Sequence, residues 1–576
     1  MARATISGTF ALPGLDRRGW LRGWLRGGLR VALLGSLLGS LLLAACDRSA
    51  RDDAAAAAPP LFETLGDLHR DIGTQVPAAQ RYFDQGLRLA YGFNHDAARR
   101  SFSEAQRLDP GCAMCAWGQA LVLGPNINQP MSPELAADAT ALADRAMRLR
   151  GASRPADREL IEALAARYAT PAPDDRRPLD VAYAEAMNAV AGRHPDDDVV
   201  ATLYAEALMD LSPWSYWHAD GAPTEYTERI VATLERVLQR NPAHLGAVHY
   251  YIHAVEASPD PQRAERHADR LATLAPGAGH LVHMPAHIYI RTGRYHDATL
   301  SNLAASSADA AFLAVCRGGD DLYPQGYVPH NWHFAAMTAA LHGSRTLAIE
   351  AAEQAARRAD PARLEAQGFM QQFVVAPLFA QLRFGQWDAI LTPAEAPAAL
   401  PYPRGIWHFA RGVALLRQGK PAGAQRELRA LQALAADPAL RALRLSEVNG
   451  ADRVLAVAVS MLRGELALAR GQRASGLAAL RAAVAAEDQL RHTEPPDWPL
   501  PVRPYLGAAL LDAKRPREAA QVYAQDLLKY PENGWSLHGL ARAQRALKQP
   551  GAAADSERRF TAAWQWADTT LSASRF

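Results

Sequence analysis

Cysteine is scarce, four in 576 residues, too few to staple a chain of this size with disulfides. An excess of charge of one sign is missing as well. Lysine and arginine total 62 against 60 acids, so bulk electrostatics offers no case for nucleic acid, and no nucleic-acid partner is expected. The apolar–polar alternation that marks half-buried strands is almost absent beyond Pro60. No apolar run spans a bilayer comfortably; Val31 to Ala45 has the length of a signal-peptide core. There is no glycine-rich phosphate loop, no nucleophile elbow and no Cys-His pair at a known catalytic spacing. These absences exclude disulfide scaffolds and β folds, and they leave enzyme activity without an evident catalytic set.

The amino terminus is arginine-rich. Six arginines and one acid, Asp16, lie in residues 1–45, which leaves 56 bases and 59 acids beyond, a net charge near −3. The run Leu43-Ala44-Ala45-Cys46 resembles a bacterial lipobox, in which Cys46 becomes the lipidated first residue of the mature protein. The alternative is an ordinary secretory signal with an incidental cysteine. An Ala-rich stretch from Asp47 to Pro60 follows. The resemblance implies residues 1–45 as signal peptide, 46–60 as tether, and a cell-envelope protein held by lipid at the periplasmic face of a bacterial membrane. Cys112 and Cys115 are read as a local disulfide, a thiol metal pair or two buried small residues.

At this length a repeat array or several domains is expected. Ala, Leu, Arg and Glu dominate segments of about a dozen residues broken by Gly, Pro and Asp. Gly86 is followed by Ala98, Phe102, Ala105 and Pro110; Gly507 repeats the spacing with Ala519, Tyr523 and Pro531, and Ala286 with Ala298 and Ala305. Gly412 with Leu428, Gly464 with Leu480, and Ala336 with Ala348 and Ala352 follow. Antiparallel helices cross closely only where small residues meet, while a bulky residue fills the gap to the next pair. The spacing resembles the tetratricopeptide repeat. That resemblance implies an all-α, right-handed α-solenoid, in which each pair packs on its neighbours. One array is expected over 61–350 and a second over 351–576. Phrases such as Leu123-Gly-Pro-Asn-Ile-Asn128, His280 to Tyr295, Arg383 to Leu391 and Glu494-Pro-Pro-Asp-Trp498 resemble a narrower set of bacterial tetratricopeptide proteins, many with export signals. That set implies no activity.

Eleven of the 18 histidines fall between His244 and His342. With Ile252, Ala286 and Ala336 as local origins, His249, His283 and His333 lie three before. His253, His287 and Met337 lie one after, and His280 and His330 six before. His267, His296 and His342 lie off this register. A single histidine on an apolar helix is usually a packing residue, but burying seven unpartnered imidazoles in one register would strand many nitrogens. In tetratricopeptide arrays the first helices line the concave face, so the resemblance implies that these rings point into a groove between Tyr204 and Met337. His249, His253 and Glu256, at i, i+4 and i+7, share one helical face. Tyr250 stands where H-E-x-x-H needs its glutamate, which removes a zincin protease. Pro285 either bends the helix through His280–Tyr289 or starts it near Met284, leaving His280 and His283 in a loop.

The expected function is binding of a ligand, a transition metal first among them, by His249, His253, Glu256, His280, His283, His287, His330 and His333. Zinc, copper or iron suits imidazole; calcium and magnesium do not. Trp214, Tyr216 and Trp217 either seal the seam between repeats or wall the groove with Met337. Two alternatives stand beside this: a metal-dependent hydrolase or oxygenase with Glu256 as general base, and a scaffold for a protein or peptide partner. The repeats from Arg383 onward are expected mainly to extend the scaffold.

Overall fold

The computed structural model describes residues 58–316, 322–446 and 448–576. The lipobox, Cys46 and the segment assigned as signal peptide lie outside the described residues. Within 60–576 the chain is an all-α solenoid of antiparallel helix pairs, with one strand pair of two residues each, Arg444–Leu445 against Asn449–Gly450. Among the described residues no helix is long and apolar enough to cross a membrane.

Small residues set the pairing where the spacing predicts it. Phe102, in the helix His95–Leu108, lies against Gly86 of the preceding helix and Gly118 of the next. A Cβ added at either glycine would come within 2.6 Å of the ring. Tyr523 lies the same way between Gly507 and Gly539. Gly464 meets Leu480, as the spacing requires, whereas Gly412 meets Leu462 of the following pair instead of Leu428. Residues 113–212 carry the helices Ala113–Leu121, Ala136–Leu149, Pro155–Ala165, Arg177–Arg193 and Asp198–Met209.

The buried apolar residues form one large cluster from Leu65 to Leu341, joined by Tyr530, another from Val375 to Ala543, and three small ones between residues 335 and 571. Pairs do not pack on sequence neighbours alone. Asn128 Nδ2 donates to Tyr327 Oη at 2.9 Å, Tyr295 Oη to the Pro531 carbonyl at 2.6 Å, and Trp535 Nε1 to the Ala340 carbonyl at 2.9 Å. The Asp568 carboxylate accepts the backbone N–H groups of Arg345 and Thr346 at 2.6 and 2.9 Å. The contacts of Tyr295, Trp535 and Asp568 bring the last repeats against the middle ones, so the repeats from Arg383 onward also pack back on the array they extend.

Gly118→Ala or Gly539→Ala should destabilise the protein by about 1–3 kcal/mol, since the added methyl overpacks an aromatic ring. Gly192→Ala, inside the helix Arg177–Arg193 with nothing within 4 Å of its Cβ position, should be neutral or stabilise by up to about 1 kcal/mol. Urea melts of the three variants check the contrast.

Candidate metal centre

Three successive first helices carry the histidines. The first is Leu245–Val255, which begins at His244, whose Nδ1 accepts the Ala247 N–H at 3.1 Å. The second runs as Gly279–His283 and Pro285–Thr292, meeting at Met284. Met284 keeps right-handed helical dihedrals, so Pro285 interrupts the segment without ejecting His280 and His283 from it. Gly279 is needed at the start, because a Cβ there would sit 1.9 Å from Asp309 Oδ1. Tyr323 Oη accepts the His280 N–H at 3.1 Å and donates to Asp309 at 2.8 Å. The third helix, Val328–Leu341, opens with Pro329 in its first turn and carries His330 and His333.

The imidazoles gather into two groups. His249, His253 and His280 each place a ring nitrogen within 4.8 Å of the others; so do His283, His287 and His330. His249 Nε2 lies 3.1 Å from His280 Nε2, and His283 Nε2 lies 2.8 Å from His287 Nε2 and 3.3 Å from His330 Nε2. Zinc–nitrogen bonds of ~2.0–2.1 Å set adjacent ligand atoms about 3.3 Å apart on a tetrahedron, so these separations have the scale of a coordination shell.

What lies behind the rings fixes their protons. His249 Nδ1 faces the Tyr91 carbonyl at 2.6 Å, which can only accept, so the ring proton sits there. Asn302 Nδ2 donates to the Ala298 carbonyl at 2.7 Å, which turns Asn302 Oδ1 towards His283 Nδ1 at 2.7 Å. Glu256 receives His253 Nδ1 at 3.0 Å on one oxygen and His287 Nδ1 on the other. Four Nε2 lone pairs are thereby turned inward. Those of His283 and His287 face each other, and only a positive charge resolves that contact: a second proton on one ring, or a metal ion bound by both.

Burial disfavours a charge on four of the rings. It drives His249, His280, His283 and His330 well below the ordinary imidazole range, and neighbouring imidazoles push the same way. Burial alone would raise the Glu256 carboxyl; its contacts with His287 and His253 outweigh that and hold Glu256 well below the usual carboxylate range. Glu256 thus aims two imidazoles. With both oxygens engaged, it is poorly placed to act as a general base.

His333 and Met337 stand apart from both groups. Burial takes His333 down to about 4, and its ring meets Phe373 edge-on at 5.7 Å. Met337 lies with His333 beside a small cavity near Arg383. The aromatic cluster divides between its two expected roles. Trp214 stands edge-on to His253 at 5.2 Å and walls the site. Trp217 Nε1 donates to the Ala254 carbonyl at 2.7 Å, and Tyr216 is buried against the end of Asp198–Met209, so both seal the seam. Cys112 and Cys115 are disulfide-bonded, and neither belongs to a histidine group.

In front of the rings is a cavity of about 400 Å³, bordered by His253, His280, His287, His330, Tyr327 and Phe373, and His333, though in neither group, borders it as well. It is not the open concave face that an isolated array would give. Thr493, Glu494 and Pro495 from the C-terminal repeats close one side, and Trp214, Thr493 and Glu494 also line a second cavity of about 820 Å³. Glu494 is buried, 3.8 Å from His287 Nδ1, and it groups with Glu256 and His492 as a further set of donors. Burial, reinforced by Glu256, raises the Glu494 carboxyl well above its usual range.

Tyr91, Phe93, Asn302 and Glu494 carry no signal in the histidine spacing. Only Glu494 stood in a phrase singled out by resemblance, and without a role. Phe93, at φ 55°, turns its ring onto His249 at 4.5 Å.

No model of a known protein family matches this chain, and no curated protein matches it. Among solved structures it is similar to the APC/C hetero-tetramer Cut9–Hcn1, at 13% identity over 85% of this chain and 74% of that one, with a TM-score of 0.29. It is also similar to the human IFIT1 dimer with m7Gppp-AAAA, at 11% identity, 85% and 91% coverage and a TM-score of 0.32. Yeast Tom70 is similar at 10% identity, 84% and 90% coverage and a TM-score of 0.27.

His244, which caps the first site helix, supplies a pH test. Burial lowers it from 6.5 to about 4. The unfolded chain therefore takes up this proton at higher pH than the folded one, so its contribution to stability is complete above pH 6.5 and is lost as pH falls towards 4. His244→Asn keeps a capping acceptor and should flatten the acid limb of stability between those values, measured by denaturant melts.

Proposed function

We propose that this protein binds first-row transition metal ions through the buried imidazoles of the three site helices. The single observation that carries the reading is the convergence of Nε2 atoms whose Nδ1 protons are held from behind by Tyr91, Asn302 and Glu256. Carboxylate- or carbonyl-oriented histidine is how protein metal ligands are usually set. An all-nitrogen donor set with no thiolate suits zinc, copper or iron and disfavours calcium and magnesium. A structural ion needs no adjoining space, whereas here a cavity of about 400 Å³ meets the rings, which fits an ion open to exchange or to a small ligand.

The cellular setting belongs to the same proposal. The lipobox resemblance at Cys46 supports a lipid anchor at the cell envelope, and the Cys112–Cys115 disulfide suits an oxidising compartment. A protein or peptide partner for the helical scaffold completes the reading.

Untagged protein should contain metal by elemental analysis, and zinc added to metal-stripped protein should raise its melting temperature. Metal-free protein whose melting is indifferent to millimolar zinc, copper and iron would overturn the reading. Asn302→Ala and Glu256→Gln should each weaken metal affinity about 10–100-fold, read by competition with a chromophoric chelator, because each releases an imidazole from its fixed tautomer.

A further inference from the structure

The two imidazole groups are the same group built twice. The first takes His249 and His253, three before and one after the origin of one helix, and His280, six before the origin of the next. The second takes His283 and His287 at those same two offsets and His330 at six before the origin of the third helix. Their geometry repeats as well. His249 and His280 have ring centres 4.9 Å apart at 77°; His283 and His330 are 4.8 Å apart at 76°. One phenylalanine backs each group: Phe93 lies 4.5, 6.1 and 5.4 Å from His249, His253 and His280, and Phe334 lies 5.2, 5.1 and 5.9 Å from His283, His287 and His330.

Resting on the metal reading above, we infer that the protein holds two metal ions, one at each interface between consecutive site helices, each bound by three imidazoles. The repeat operation that places one helix beside the next also copies the ligand set. The pattern ends on both sides. Gly246 stands six before the first origin, packed against the Tyr91 ring, so no imidazole is offered upstream. Downstream, His333 and Met337 occupy the two offsets of a third copy, but methionine replaces the second imidazole and Phe373 meets the first. Two copies are therefore complete and the third is broken.

The two sites are joined through one residue. Glu256 accepts His253 of the first group on one oxygen and His287 of the second on the other. Ring centres across the groups are 5.3 Å apart for His253 and His287 and 5.6 Å for His280 and His283. Three imidazoles leave an ion with an open position, and His253 and His280 from one group and His287 and His330 from the other border the same cavity. The ligand class this arrangement takes is a small molecule or anion able to bridge two ions.

Zinc titrated into the metal-stripped, untagged full chain tests the count. Two equivalents should bind. His249→Ala should retain one equivalent, and so should His330→Ala, because each disables a different set. In the wild-type chain loaded with two equivalents of copper(II), the electron paramagnetic resonance spectrum should show interacting spins, which needs no variant to fold. One equivalent in the wild type, abolished by either substitution alone, overturns the two-ion inference and leaves single-ion binding standing. No equivalents bound overturns the metal reading itself.

Discussion

Imidazole lone pairs turned towards one another at buried positions are the constraint on which the rest of this structure depends. An unpaired ring nitrogen away from water is costly, and two facing lone pairs are worse. The chain nevertheless fixes them there, placing a carbonyl, an amide oxygen and a carboxylate behind the rings so that the protons stay on the far side. Burial that disfavours a charge on His249 and His283 and acceptors that hold their tautomers act in the same direction. Both leave nitrogen donors ready at neutral pH.

The solenoid explains how so many donors reach one place. Successive first helices lie side by side, so a residue at a fixed offset on one helix meets a residue at another fixed offset on the next. Glycine at the helix crossings brings the backbones close enough for Phe102 or Tyr523 to fill the gap between pairs. The same closeness puts Gly279 against Asp309 and His280 within reach of His249. Ordinary repeat packing and the histidine site are thus consequences of one spacing.

The helix pairs were legible because the spacing of small and bulky residues recurs many times, and each copy confirms the others. The shared register of the histidines was legible for the same reason, as a period carried on three helices. His333 keeps the register and borders the cavity, but the ring beside it is Phe373 and not an imidazole, a difference that spacing along one helix does not report. Tyr91 contributes through its backbone carbonyl, which any side chain would supply, so no residue type marks it. Glu494 is distant in sequence and arrives only because the last repeats close on the middle ones through Tyr295–Pro531 and Trp535–Ala340. Sequence spacing reports local periods well and says little about such closure.

X-ray absorption at the edge of the metal bound to the native, untagged protein tests the central claim most directly. The account predicts a first shell of about three nitrogens near 2.0–2.1 Å with the outer-shell scattering of imidazole rings and no sulfur. A shell of oxygen alone, or one containing sulfur at about 2.3 Å, would contradict it.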